Sequence, residues 1–287
     1  MTTQLRFDGK VAIVTGAGTG LGRSYALLLA SRGAKVLVND IGCDVNGKGS
    51  DAKVADAVVA EIKKAGGVAV ANHDSAEFGD KVVKAAVDAF GTVDILINNA
   101  GILRDVSFMK MSEEDWDLIY RYHTKSTFSV TRAVWNIMRE KRYGRIINTS
   151  SSAGIFGSFG QANYSTAKMG FHGFTQSLAK EGEARGIKVN TIAPLAGTRM
   201  TQGVMPPELI VAMKPEYIAP LVALLAHEQC PDNGGLFEVG GGFVCKDRWQ
   251  RSGGHLFAPK DISPESILAK YDTINDFEKD VVYPTGN

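Results

Sequence analysis

Tyr164 and Lys168 stand four positions apart in the run "ANYSTAKMG" (162–170). If the run is helical, that spacing puts both side chains on one face. Ser151 lies thirteen residues before Tyr164, at the end of the β-branched run "GRIINTS" (144–150). The chemistry open to such a group is proton transfer. A tyrosine ionises near pH 10, so it works as an acid or base near neutrality only if its phenolate is stabilised. Lowering it by about 3 units takes roughly 4 kcal/mol. One ammonium about 4 Å away, at an effective dielectric near 20, supplies roughly that much. Lys168 is therefore expected to suffice in position and in magnitude.

His123, one of five histidines, falls in "LIYRYHTKSTFS" (118–129). Taken alone it is open to three readings: a catalytic base, a packed structural histidine, or a stand-in for another residue. His172 follows on the Tyr164 helix and reads as a packing residue, whereas His73, His227 and His255 read as surface or loop positions. No His, Asp, Glu and Cys cluster suggests a metal site.

These side chains need a scaffold, and the chain supplies a familiar kind. The run "VAIVT" (11–15) leads directly into "TGAGTGLG" (15–22), which opens a helical pattern. Gly16 permits the tight turn, and Gly20, Leu21 and Gly22 let the backbone approach a pyrophosphate at the helix N-terminus. Asp40 stands eighteen positions after Gly22, at the end of the second β-run. A carboxylate there accepts both ribose hydroxyls of an adenosine and repels a 2′-phosphate, which favours NAD over NADP. Asp74 and Ser75 end the third run, where the adenine would lie. In "NNAG" (98–101), Asn98 reads as a pin between strands, while Asn99, Ala100 and Gly101 read as facing the ligand.

β-Branched runs at 11–15, 35–39, 68–71, 93–97, 144–150, 187–192 and 236–240 read as strands buried on both faces. Helical patterns occupy roughly 20–32, 51–65, 77–90, 112–140, 164–185 and 215–227. The alternation predicts an α/β fold with a doubly wound, mostly parallel seven-stranded sheet of Rossmann type. Residues 1–245 are expected to form the NAD-binding domain with its substrate site. Residues 246–287 are expected to form a helical extension packed on that domain. Within it, "SPES" (263–266) offers a serine cap followed by proline, and Ile267, Leu268, Tyr271, Ile274 and Phe277 recur as one amphipathic helix. "IGCDVNGKGSD" (41–51) reads as a long glycine-rich loop.

A net charge of +1 gives no general attraction to nucleic acid or acidic membranes. The three cysteines are odd in number and widely spaced, which favours a reducing compartment over disulfides. No run is long and apolar enough to span a membrane, "MTTQLRFDGK" has no signal core, and "PTGN" is not a Ser-Lys-Leu type address.

Together, the TGxxxGxG loop, NNAG, Ser151 and Tyr164-x-x-x-Lys168 resemble the short-chain dehydrogenase/reductase family over nearly all of residues 7–245. The resemblance implies that Tyr164 is the general acid/base and that Ser151 holds and polarises the substrate oxygen. It implies that Lys168 binds the nicotinamide ribose and lowers the tyrosine pKa. "IAPLAGT" (192–198) resembles the segment that closes over the nicotinamide, through Pro194, Ala196, Gly197 and Thr198. Leu195 departs from that segment's usual Pro-Gly pair.

"GILRDVSF", "FGQANYS", "MKPEYIAP" and "NGGLFEVG" also resemble the dehydrogenase domains of the peroxisomal β-oxidation multifunctional enzymes. That implies oxidation of a (3R)-hydroxyacyl-CoA to the 3-ketoacyl-CoA with NAD, in peroxisomes, by a homodimer paired through helices 112–140 and 164–185. Alternatives are a steroid or a carrier-protein-linked 3-oxoacyl substrate, or, in another class, a non-catalytic NAD-binding scaffold. The family places an asparagine where His123 falls. There it kinks the helix, and its neighbouring carbonyl holds a water that links the lysine to solvent. The resemblance thus implies that His123 holds the kink or joins the proton relay, with structural packing as the alternative.

Overall fold

The computed structural model describes residues 4–201 and 206–284. β1 (Val11–Thr15), α1 (Gly20–Ser31), β2 (Lys35–Asn39), α2 (Lys53–Lys64), β3 (Val68–Asn72), α3 (Gly79–Phe90) and β4 (Ile95–Asn98) form the first half. The second half begins with α4 (Glu113–Ile119), a π-helical turn (Tyr120–Lys125) and α5 (Ser126–Lys141). It continues through β5 (Gly144–Thr149), α6 (Ser152–Phe156), α7 (Ala162–Glu183) and β6 (Ile187–Leu195). It closes with α8 (Pro207–Ala212), α9 (Ala219–Ala226), β7 (Leu236–Gly240) and β8 (Phe243–Asp247).

The sheet order is β3-β2-β1-β4-β5-β6-β7-β8, with every pairing from β3 to β7 parallel. The sheet therefore has eight strands rather than the expected seven. Gly241 (φ 55°) and Gly242 (φ 87°) make a two-residue connection that turns the chain back as a hairpin. β8 escaped the sequence reading because "FVCKD" is short and largely exposed, so it carries no buried run.

Both faces of the sheet are covered, and each strand alternates between two cores. Val14, Val36, Val38, Ile97 and Ile192 pack with Tyr25, Leu29, Ile62 and Val222 on one side. Ile13, Leu37, Leu96, Ile146 and Val189 pack with Val82, Val134 and Met138 on the other. Burying an aliphatic side chain of this size contributes about 1.5–3 kcal/mol, which is why these runs form central strands.

The strand ends are polar and level. Thr15, Asn39 and Asn72 share one register row across β1, β2 and β3. Asn98, Asn148 and Thr191 share another across β4, β5 and β6. The chain winds outward in both directions from β1 and β4, so the crevice beyond their carboxyl ends is the switch point where α/β sheets bind ligands.

The backbone divides into two compact units, Met1–Cys245 and Lys246–Asn287. In the second, the Ser263 hydroxyl accepts from the Ser266 N–H at 3.1 Å and starts α10 (Pro264–Ala269). The single amphipathic helix expected there is broken. Lys270 (φ −113°, ψ 10°) separates α10 from α11 (Tyr271–Ile274), because its backbone leaves the helical basin.

Candidate active site

A cleft of about 510 Å³ opens at the carboxyl edge of the sheet over the switch point. Residues from the glycine loop, the end of β2, the NNAG segment, α6 and α7 all line it.

The glycine loop is held from β4. Asn99 Nδ2 donates to the carbonyls of Thr15 and Gly16, both at 3.0 Å. The Thr15 hydroxyl accepts from the N–H groups of Asn99 and Ala100. Asn99 and Ala100 both line the cleft, yet the Asn99 amide is spent on the loop rather than left for a ligand. Asn98 is buried and donates to Thr131 Oγ1 and Asn148 Oδ1, each at 2.9 Å. A β-carbon on Gly22 would collide with the Gly16 carbonyl, so Gly22 lets α1 approach the turn and lies outside the cleft lining.

Asp40 accepts from the Gly18 N–H at 2.9 Å and the Gly42 N–H at 2.7 Å, which fix a carboxylate at the cleft wall. An ionised carboxylate has about four lone-pair sites, so acceptor capacity remains. Ser75 lines the cleft. Asp74 does not: its carboxylate accepts from Asn72 Nδ2 at 2.8 Å, which turns it back onto β3.

These features fit a dinucleotide. The first turn of α1 holds no acidic residue, and Thr19 at its N-cap does not cap it with its side chain. Instead Thr19 Oγ1 accepts from Arg199 Nη2 at 3.0 Å. The α1 amides thus keep their capacity for an anion. A β-carbon built on Gly20 (φ 53°) would meet only the Thr198 side chain, its methyl at 3.6 Å. Arg199 was missed by the sequence reading because arginine has no place in the motif. Among the described residues lining the cleft, only it and Lys168 are lysine or arginine.

At the end of β6 and just beyond it, Pro194, Ala196 and Thr198 line the cleft, whereas Gly197 does not. The Gly197 N–H donates to the Met213 carbonyl at 2.6 Å, and a β-carbon on it would strike the backbone of Ile210 in α8. Leu195, in place of the usual glycine, is the last residue of β6 and pairs with Gly240.

Ser151 ends the turn after β5 in extended conformation and caps α6, its hydroxyl accepting from the Ala153 N–H at 3.2 Å. α7 carries Tyr164 and Lys168 on one face, as their spacing requires, and both line the cleft. Lys168 is buried, and its Nζ donates to the Thr149 carbonyl at 2.7 Å. The same Nζ sits 5.4 Å from the Tyr164 ring centroid. Burial pushes the Lys168 ammonium down to about 7. Burial also pushes the Tyr164 hydroxyl up to about 12, opposed by its hydrogen bond to Ser151 and reinforced by Asp105. Burial thus works against the lowering of Tyr164 expected from Lys168. The low dielectric that would strengthen their attraction also desolvates both charges.

His123 lies in the π-helical turn and is completely buried. Its Nε2 is 2.9 Å from the Ile102 carbonyl and 3.1 Å from the Ile102 N–H. Its ring meets that of Tyr164 edge to face, with centroids 5.3 Å apart. Burial, then the Lys168 charge, hold the imidazole well below its ordinary range, against the Ile102 hydrogen bond. It is a neutral ring, and its buried Nδ1 has no hydrogen-bond partner. A β-carbon on Gly101 would collide with this ring, so Gly101 makes room for His123.

The model of the short chain dehydrogenase family matches residues 10–208. The peroxisomal hydratase-dehydrogenase-epimerase of Neurospora crassa is 55% identical over 288 residues, covering 100% of this chain. The chain spans only 32% of that relative's length. The solved structure of full-length peroxisomal multifunctional enzyme type 2 from Drosophila melanogaster superposes with a TM-score of 0.84 at 42% identity, over 98% of this chain and 48% of that one. A 7α-hydroxysteroid dehydrogenase solved with NADH and 7-oxo glycochenodeoxycholic acid gives a TM-score of 0.73 at 29% identity, over 83% of this chain and 95% of that one. By motif, fold and these matches, the chain belongs to the short chain dehydrogenase family of nicotinamide-dependent oxidoreductases.

Proposed function

We propose that this chain oxidises (3R)-hydroxyacyl-CoA to 3-ketoacyl-CoA with NAD, as a dehydrogenase of fatty-acid β-oxidation. The observation that carries the reading is the meeting of Ser151, Tyr164 and Lys168 in one cleft, in a chain matched end to end by a peroxisomal hydratase-dehydrogenase-epimerase.

Asp40 would take the adenosine ribose and disfavour a 2′-phosphate. The α1 amides and the Arg199 guanidinium would take the diphosphate. Lys168 and the segment from Pro194 to Thr198 would hold the nicotinamide half. When bound, the nicotinamide supplies the hydride acceptor.

Ser151 holds the substrate C3 oxygen by its hydroxyl, and Tyr164 takes the proton from that oxygen. The pair Tyr164–Lys168 titrates as a unit. Once it has lost one proton, an ammonium beside a phenolate and a neutral amine beside a phenol are two forms of the same charge state. Bringing the substrate hydroxyl to Tyr164 favours the first, because the phenolate then gains a donor. His123 positions this unit: it holds the helix at its π turn and packs a neutral ring against Tyr164. We further propose a homodimer formed through the α4–α5 and α7 faces, working in peroxisomes.

A panel of (3R)-hydroxyacyl-CoA, its (3S) isomer and a 17β-hydroxysteroid, each with NAD and NADP and followed at 340 nm, tests the reading. Turnover confined to the (3R) thioester with NAD is expected. Preferred turnover of the steroid or of the (3S) isomer would overturn it.

A further inference from the structure

Four large apolar side chains stand exposed on two adjoining segments: Phe108 (75%), Met109 (88%), Phe156 (72%) and Phe159 (94%). The segments are fastened to each other. The Val106 N–H donates to the Gly160 carbonyl at 2.8 Å, and Gln161 Nε2 donates to Asp105 Oδ2 at 2.7 Å. The residues thus form an ordered rim rather than a loose tip. Single exposed apolar residues need no explanation, but a group of them on a pinned edge marks a contact site.

The rim is continuous with the catalytic cleft. Phe156, the last residue of α6, also lines the cleft, and Ser151 caps the other end of the same helix. Five helical residues rise about 7.5 Å. A chain that continues from the carbon bearing the oxygen held by Ser151 must therefore run several carbons before it meets the rim.

We propose that Phe108, Met109, Phe156 and Phe159 form the seat of the fatty-acyl chain, beyond the reacting carbons. This rests on the acyl-CoA reading above. An acyl chain is the fitting occupant because the seat begins inside the catalytic cleft and presents apolar surface over successive residues. A butyryl chain ends before the rim, and a decanoyl chain lies across it. Each buried methylene contributes about 0.8 kcal/mol, roughly fourfold in affinity.

The test is equilibrium binding of butyryl-CoA and decanoyl-CoA by calorimetry, with saturating NAD, to the wild type and to Phe159→Ser/Met109→Ser. Neither substituted residue lines the cleft. Decanoyl-CoA should bind the wild type at least about tenfold more tightly than butyryl-CoA. The double variant should lose most of that ratio while its butyryl-CoA affinity stays within about twofold. Phe159→Leu should keep the ratio. An unchanged ratio, or equal loss for both ligands, overturns the proposal. So does a change of oligomeric state by light scattering in the variant, which would make the rim a subunit contact. Turnover of the 3-hydroxy forms is measured alongside. A chain-length-dependent affinity without turnover counts against the proposed activity and leaves the seat standing.

Discussion

The imidazole of His123 occupies the space that a β-carbon on Gly101 would need. The two positions, one beyond β4 and one in the π-helical turn, are therefore a matched pair. Gly101→Ala is expected to destabilise the fold by about 1–3 kcal/mol through overpacking. It should also lower turnover by displacing the ring. In a His123→Ala background the same substitution should cost much less. Denaturant unfolding of the two single variants and the double variant measures this coupling, and additive effects would contradict it.

His123→Asn should retain most activity, since an amide can still reach the Ile102 backbone. His123→Ala leaves those groups without a side-chain partner and frees the π turn, so kcat should fall about tenfold, the cost of one buried unmet hydrogen bond. Equal, full activity in both variants would remove His123 from the working site.

Tyr164→Phe should lower kcat by about 10²- to 10⁴-fold, the usual contribution of a positioned acid or base. Its unfolding midpoint should hold close to that of the wild type. Retained turnover with an intact fold would refute the role given to Tyr164.

Lys168 ionises near 7 in the folded protein, below the ordinary lysine value of 10.5. Below pH 7 both folded and unfolded chains carry the ammonium, so its burial cost is felt in full. Between pH 7 and 10.5 the unfolded chain binds more protons, and stability gains with rising pH. The thermal midpoint of Lys168→Met, relative to the wild type, should be highest below pH 7 and should decline toward pH 10. Oxidation by the wild type should rise with pH through about 7, as the Tyr164–Lys168 unit loses its first proton. In Lys168→Met, activity should still be climbing at pH 10, because Tyr164 is held up near 12. A common inflection in both proteins would show that another group sets the profile.

Asp40→Ser should raise kcat/KM with NADP and lower it with NAD, with a combined shift in preference of at least about tenfold, the scale of one charged contact. A preference that does not move would place cofactor selection elsewhere.

The sheet and its site could be read from sequence where one physical requirement dominates. "VAIVT" and "KVLVN" are buried on both faces, so their strands were legible without neighbours. Tyr164 and Lys168 share a face by helical geometry alone. The remainder depended on three-dimensional context. The π turn at Tyr120–Lys125 has no composition of its own: only the family resemblance implied a kink there, and the His123–Ile102 contact shows what holds it. The direction of the Tyr164 shift depended on how deeply its surroundings are desolvated, which spacing does not encode. Asp74 reads from sequence as an adenine neighbour, but its carboxylate accepts from Asn72 and it lies outside the cleft lining, an orientation that spacing does not encode. Arg199 owes its place to the path of the chain after β6, since only that path brings it to Thr19.

Two adjacent residues at the end of β4 have opposite loyalties. Asn99 is tied to the carbonyls of Thr15 and Gly16, on the nucleotide side. Asn98 is tied to Asn148, which in turn donates to Thr175 on the helix that carries Tyr164 and Lys168. One peptide unit thus joins the two halves of the crevice, and an opening at this point has to break hydrogen bonds on one side of it or the other. What the cleft admits can be altered by substitutions along its edges while this bonded centre stays the same.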